Sequence, residues 1–375
     1  MLIDRSIHTT IQNQLQGEPK IIIIYGPRQS GKTTLIEQLL QNQAHLFFNG
    51  DDIRTQELFG TADLDRLKKV VGKTKLLVID EAQRISNIGL TLKLIFDSLK
   101  IHILASGSSS FDLANKINEP LTGRSVTFTL YPFSVIEIPP SPLETLSVKL
   151  EEFLRFGLYP KAITLSLQTE KELYLNELIS NYLYKDILTF ETVRKPKKVI
   201  DLLSLLALQI GNEVSIQELA QNLSLSKIVV EKYLDLLEKM FIIVNIRGFS
   251  RNLRKEISKT SKYYFVDLGI RNALIRNFNE LKLRVDGGVM FENLCVIEKL
   301  KRLANKKEFA NLYFWRTYDQ KEIDLIEEKK GKLTAFEFKL SPKSNKTTSA
   351  GREFTSVYKD SSYKIVGPDD LEQFP

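Results

Sequence analysis

The first third of the chain alternates short apolar runs with amphipathic stretches. Ile21–Tyr25 reads IIIIY, and a run that is apolar at every position predicts a buried strand. KLLVIDEAQR (Lys75–Arg84) repeats the pattern and ends in two carboxylates, while IHILASGSSS (Ile101–Ser110) ends in small polar residues. HLFFNGDD (His45–Asp52) and RSVTFTLYPFS (Arg124–Ser134) supply the rest of a parallel sheet, with helices such as Thr91–Leu99 in between. Strands alternating with helices predict a doubly wound α/β domain over residues 1–138.

Three prolines, Pro139, Pro140 and Pro142, mark a hinge after this domain. Helical periods then run from Leu146 to Thr192, and the aromatic rings of Tyr182 and Tyr184 fall on a core face. The next stretch is more tightly patterned. Pro196–Gly211 reads as a helix closed by glycine, and Ser215–Leu223 opens on Ser215 with Glu218 three positions on, a capping box. Lys227–Phe241 is a further helix, followed by the extended FIIVNIRGFSRNL. That order predicts a winged helix–turn–helix, giving a middle segment over 139–262. In the last segment, 263–375, Gly288–Leu303 reads as a long amphipathic helix with Glu292 in its first turn. Strands follow within Asn311–Leu340, with a hairpin turning at Lys329–Lys332.

Composition narrows the class. The 375 residues are 43% hydrophobic and 26% charged, which is globular, and more than a single core is expected at this length. No apolar run approaches the roughly 20 residues needed to cross a bilayer, so no membrane association is expected. The start lacks the basic-then-apolar profile of a signal peptide, and the lone Cys295 permits no internal disulfide, so a cytoplasmic setting is expected. The net charge of +7 is modest, but basic residues cluster at Val193–Lys198, Arg247–Lys262 and Glu298–Lys307. Each cluster suits a phosphate-binding face or a merely solvated one.

The densest chemistry lies in IIIIYGPRQSGKTTL, which fits G-x-x-x-x-G-K-[ST] as Gly26, Gly31, Lys32 and Thr33. A buried strand would fix the loop of Gly26, Pro27, Arg28, Gln29, Ser30 and Gly31, whose backbone N–H groups wrap phosphates. The helix opening at Lys32, Thr33 and Thr34 would point its positive end at them. Lys32 would reach the β- and γ-phosphates, and the Thr33 hydroxyl would hold Mg²⁺. Asp80 is placed to hold Mg²⁺ through water, and Glu81 to polarise an attacking water. Ser106 and Ser108 are candidates for a hydroxyl that senses the γ-phosphate, although serines are also ordinary turn residues.

GPRQSGKTTL, LLVIDEAQ, ASGSSS and LTGRSVTFTLYPFS, in this order and spacing, resemble AAA-type ATPases of a prokaryotic family. Its members carry an AAA-like N-terminal module and a C-terminal domain of unknown function. The resemblance implies ATP as the nucleotide and Glu81 as the water-activating base. It also implies a sheet with the serine-tipped strand between those carrying Lys32 and Asp80. Arg124 in LTGRS falls where related ATPases keep arginines that meet a phosphate, in the same subunit or in a neighbour of a homo-oligomer. A surface arginine opening a strand is the alternative, and Arg28 is a second candidate.

Further candidates lie in the C-terminal segments. Arg247, Arg251, Arg254 and Lys255 on the wing would meet DNA, while Lys227, Glu231 and Lys232 make a mixed face on the recognition helix. Glu337 and Lys339, two apart on a strand, project together, and Asp324 would meet them across the hairpin. With Glu292 as an additional acid, the pattern resembles restriction-endonuclease-like PD-(D/E)xK domains, which implies Mg²⁺-dependent phosphodiester cleavage. It departs in having Ile323 rather than proline before Asp324, and such scaffolds also persist without cutting. The expected function is an ATP-hydrolysing ATPase coupled to a DNA-binding, nuclease-like half. The alternative is a nucleotide-gated switch whose C-terminal half binds a protein partner.

Overall fold

A computed structural model describes residues 3–41, 43–107, 121–138, 146–180, 195–250, 261–341 and 347–374. The chain divides into two compact units, Met1–Phe133 with Lys239–Phe241, and Ser134–Glu238 with Ile242–Pro375.

The first unit is built on a parallel sheet in the order β2-β3-β4-β1-β5. Its strands are β1 (Ile21–Tyr25), β2 (Leu46–Asn49), β3 (Leu76–Asp80), β4 (His102–Gly107) and β5 (Ser125–Thr129). The helices are α1 (His8–Gln16), α2 (Lys32–Leu40), α3 (Ile53–Gly60), α4 (Leu64–Val71) and α5 (Ile88–Leu99). The isoleucine run is explained by its two faces. Ile22 and Ile24 pack with Ile11, Leu15, Leu35 and Ile36 of α1 and α2. Ile21 and Ile23 pack with Phe59, Leu67, Leu92 and Ile95 of α3, α4 and α5. Successive side chains point to opposite faces, so a strand covered twice needs apolar residues throughout. This is the doubly wound α/β arrangement read from the pattern.

The second unit holds a mixed seven-stranded sheet in the order β12-β11-β10-β9-β7-β8-β6. Helices α6 (Leu146–Phe156), α7 (Pro160–Thr164) and α8 (Gln168–Leu178) come first. Then follow α9 (Pro196–Leu208), β6 (Glu213–Val214), α10 (Ile216–Leu223), α11 (Lys227–Lys239), β7 (Ile243–Gly248) and β8 (Ser261–Phe265). The expected cap is present, with the Glu218 amide donating to Ser215 Oγ at 3.3 Å. β8 pairs antiparallel with both β7 and β6. After α12 (Leu268–Leu274) come α13 (Gly287–Lys306), β9 (Asn311–Arg316), β10 (Glu322–Lys329), β11 (Lys332–Phe338), α14 (Ser349–Val357) and β12 (Ser361–Val366).

Two sequence expectations change here. The boundary expected at 262 falls inside β8, because β7 also pairs with β9 and makes one continuous sheet of the middle and C-terminal segments. Glu292 lies in the second turn of α13, not the first, because the helix begins at Gly287. The hinge prolines, Tyr182 and Tyr184 lie outside the described residues.

Candidate functional site

All five strands of the first sheet run parallel, so the segments that follow β1, β3 and β4 emerge at one edge. That edge, at a topological switch point, is where open α/β sheets bind ligands. β4 lies between β1 and β3, as the resemblance implied. Gly26 follows β1 with φ +157, and a Cβ there would come within 2.1 Å of the Leu130 carbonyl oxygen, so only glycine fits. Gly31 caps α2 in the left-handed conformation at φ 93, which turns the chain into the helix at Lys32.

The side chains converge. Thr33 Oγ1 donates to Asp80 Oδ2 at 2.8 Å, Ser106 donates to Asp80 Oδ1, and the Glu81 amide donates to the same oxygen at 3.1 Å. Lys32 is buried, and its ammonium bridges the carbonyls of Gly26 at 3.0 Å and Pro27 at 2.9 Å. Burial lowers its pKa to about 8, against the opposing pull of Glu81 and Asp80, and Arg28 lowers it further. Ser30 is fully buried, and its hydroxyl has no hydrogen-bond partner among the described residues. A buried hydroxyl without a partner is rare, so the loop fits a polar ligand that supplies one. An oxyanion such as a phosphate meets that need, as well as the charge of Lys32. Thr33 and Asp80 offer hard oxygen donors suited to Mg²⁺.

Glu81 sits in the left-handed region at φ 50, just beyond β3. Its carboxylate accepts a hydrogen bond from Gln83 Nε2. Gln83 was not singled out in the sequence, although its position two residues after the base was open to inspection. Gln29 and Thr34 are exposed on the loop and the first turn of α2, and Ser108 lies outside the described residues.

Arg124 requires a correction. It precedes β5, whose first residue pairs with Ile21, and its carbonyl accepts from the Ile21 amide at 3.1 Å. It therefore stands at the opposite edge of the sheet from the phosphate loop, a full strand length of about 16 Å away. There its guanidinium pairs with Asp97 at 2.9 and 3.1 Å. Because the strands are parallel, a residue that opens one cannot meet a ligand at the end where they close. A finger role for Arg124 within its own subunit is excluded.

The charge of Lys32 gives a testable pH dependence. Only the ammonium form pairs with phosphate, so above about pH 8 binding must take up a proton. ATP affinity is expected to fall as pH rises from 8 to 9.5, by up to about tenfold per unit. Calorimetric titrations in buffers of different ionisation heat would register the proton uptake, and a flat profile would contradict it.

In the second unit, β10 and β11 form the expected hairpin. Lys329 pairs with Lys332, and Lys330 and Gly331 turn the chain with φ 52 and 77, the signs a tight hairpin turn needs. The register pairs Leu325 with Phe336, next to Asp324 and Glu337, and a register shift against β9 marks an irregularity between Ile323 and Ile326. Asp324 Oδ2 accepts from the Phe338 amide at 2.7 Å. Burial, followed by the charge of Glu292, raises its carboxyl to about 8. Lys339 Nζ lies 3.4 Å from Glu337 Oε2, and Thr348 donates to the other Glu337 oxygen.

Glu292 does not join that pair. Its Oε1 takes a hydrogen bond from Tyr264 at 2.6 Å and an ion pair from Lys262 Nζ at 3.2 Å. Lys262 also pairs with Glu322. Among the described residues, no group of three or more His, Cys, Asp or Glu is arranged to hold a metal ion. The additional acid expected from Glu292 is thus held by Lys262 and Tyr264, while Glu337 is held by Thr348 and Lys339. Of the residues expected to meet DNA, Arg247 is exposed on β7, and Arg251, Arg254 and Lys255 lie outside the described residues. No helix among the described residues is long and apolar enough to cross a membrane.

Comparison with known proteins divides the chain similarly. Residues 18–139 match the model of an AAA domain, 147–281 a domain of unknown function (DUF8612), and 287–373 a second one (DUF4143). The chain is 27% identical over 365 residues to an uncharacterized protein of Mycobacterium tuberculosis, covering 96% of this chain and 78% of that one. An uncharacterized protein of Methanocaldococcus jannaschii is 27% identical over 315 residues, covering 75% of this chain and 70% of its own length. Among solved structures, a Walker-type ATPase of Pyrococcus abyssi aligns with TM-score 0.48 and 17% identity, over 73% of this chain and 96% of that one. The P-loop geometry above and the family match over residues 18–139 agree on an AAA-like P-loop domain, followed by regions that match DUF8612 and DUF4143.

Proposed function

We propose that the chain hydrolyses ATP at the edge formed by Gly26–Thr33, Asp80 and Glu81, and that nucleotide state acts on a DNA-binding C-terminal half. The convergence of Lys32, Thr33, Asp80 and Glu81 carries the first part. On binding, Lys32 exchanges the Gly26 and Pro27 carbonyls for β- and γ-phosphate oxygens. The loop amides and the N-terminal end of α2 add further positive potential there. Mg²⁺ held through Thr33 and Asp80 would offset charge that develops on the phosphate oxygens. Glu81 accepts a proton from water, the water oxygen bonds to the γ-phosphorus, and the bond to the β-phosphate oxygen breaks, releasing ADP and phosphate. Gln83 holds the Glu81 carboxylate and must let it turn towards the water.

For the DNA-binding part, support comes from element order. Helix α9, β6, α10, α11, β7 and β8 follow the helix–strand–helix–helix–strand–strand order of a winged helix, with Arg247 exposed on a wing strand. The α–βββ–α–β order from α13 to β12, with Asp324 and Glu337 on adjoining strands, supports a nuclease-like scaffold. Cleavage is not proposed, because Glu292 is engaged by Lys262 and Tyr264 and Glu337 by Thr348 and Lys339. The exposed face of α11 carries Lys227, Glu231, Lys232 and Asp235, and that balance of charge favours a second reading in which the half binds a protein. ATP turnover with and without duplex DNA separates the two. Stimulation by DNA is expected, and turnover indifferent to DNA, with nucleotide-dependent assembly, would favour the protein-binding reading.

A further inference from the structure

We infer that the Lys262 ammonium occupies, in the C-terminal acid cluster, the place a divalent cation takes in a metal-dependent site. The inference deepens the nuclease-like reading of this half and rests on it. Lys262 is 1% exposed, which is rare for a lysine and requires partners. Its Nζ is 3.2 Å from Glu292 Oε1 and forms an ion pair with Glu322 Oε1, and the Phe314 ring lies 5.5 Å away. Two carboxylates, Glu292 of α13 and Glu322 of β10, thus hold a single buried cation. Arg316 touches only the outer side of Glu322, at 3.6 Å, and is shared with Glu213 at 3.2 Å.

The placement is built, not incidental. Lys262 and Tyr264 point to the same face of β8, and both reach Glu292. The next residue of α13, Asn293, exchanges two hydrogen bonds of 2.8 Å with the Phe265 backbone, which fixes β8 against the helix. A divalent cation on Glu292 and Glu322 would meet the ammonium at contact distance. The two cations exclude each other.

Removing the ammonium leaves a concentration of carboxylates that a hard, oxygen-seeking cation satisfies. The test uses the full chain carrying Asp80→Asn, which removes the carboxylate at the end of β3 that faces Thr33, and measures Mn²⁺ binding by electron paramagnetic resonance. With Lys262 intact, no Mn²⁺ is expected at the cluster. Lys262→Met keeps the apolar stem and should bind Mn²⁺ about tenfold more tightly or better than this parent. Adding Glu292→Gln should abolish the gain. Should Lys262→Met fail to fold alone, Mn²⁺ is expected to restore its cooperative thermal transition. The inference is overturned if the Lys262 protein binds Mn²⁺ in a manner lost with Glu292→Gln. A Lys262→Met chain that neither binds Mn²⁺ nor folds with it overturns it as well. DNA retention on a gel, measured on the same proteins, reports separately on the reading of this half.

Discussion

Lys32→Ala abolishes nucleotide binding while leaving the fold in place. The lysine is buried at the strand edge, and it makes two bonds to loop carbonyls that a phosphate would replace. Charge-assisted hydrogen bonds to phosphate in such a setting contribute about 3 kcal/mol or more, so affinity should drop ~100-fold or beyond. The folded chain does not suffer equally. Burial already disfavours the charged form, so deleting it relieves desolvation while it removes the two carbonyl contacts. Calorimetric titration with ATP and thermal melting together decide the matter. Unchanged affinity would remove Lys32 from the site, and loss of the melting transition would make its role structural.

Glu81→Gln has the second large effect, and it separates binding from chemistry. The amide is isosteric, can still accept from Gln83, and leaves Asp80, Thr33 and Lys32 untouched. It cannot take a proton from water at neutral pH. Turnover should fall by about 10²–10⁴-fold, the range for a lost general base, with ATP affinity within a few-fold of wild type. The variant should therefore copurify with or retain intact ATP. Affinity falling in step with rate would instead assign Glu81 to binding.

The two sites were legible to different degrees. The phosphate loop could be read because its chemistry is contiguous: strand, glycines, lysine and threonine lie within a single stretch, and Asp80–Glu81 closes another. The position of β4 followed once the resemblance was recognised. Arg124 was misplaced although the means to place it were present. It precedes its strand, and in a parallel sheet the residues that open strands lie away from those that close them. β6 was missed because two residues, Glu213 and Val214, carry no periodicity and exist as a strand only through pairing with β8. Lys262 was missed because its partners come from α13 and β10, far along the chain. The alternation of Lys262 and Tyr264 on one face of a strand was the available clue that polar groups point inward there. Of the two acids, Glu292 was identified and Glu322 was not, and which cation they meet depends on the three-dimensional path of β8.

The most direct test of the account is single-turnover release of phosphate from ATP and Mg²⁺, comparing wild type with Glu81→Gln. The account predicts phosphate release by wild type and intact bound ATP on the variant. Release by Glu81→Gln at the wild-type rate, or no nucleotide bound by wild type, would contradict it.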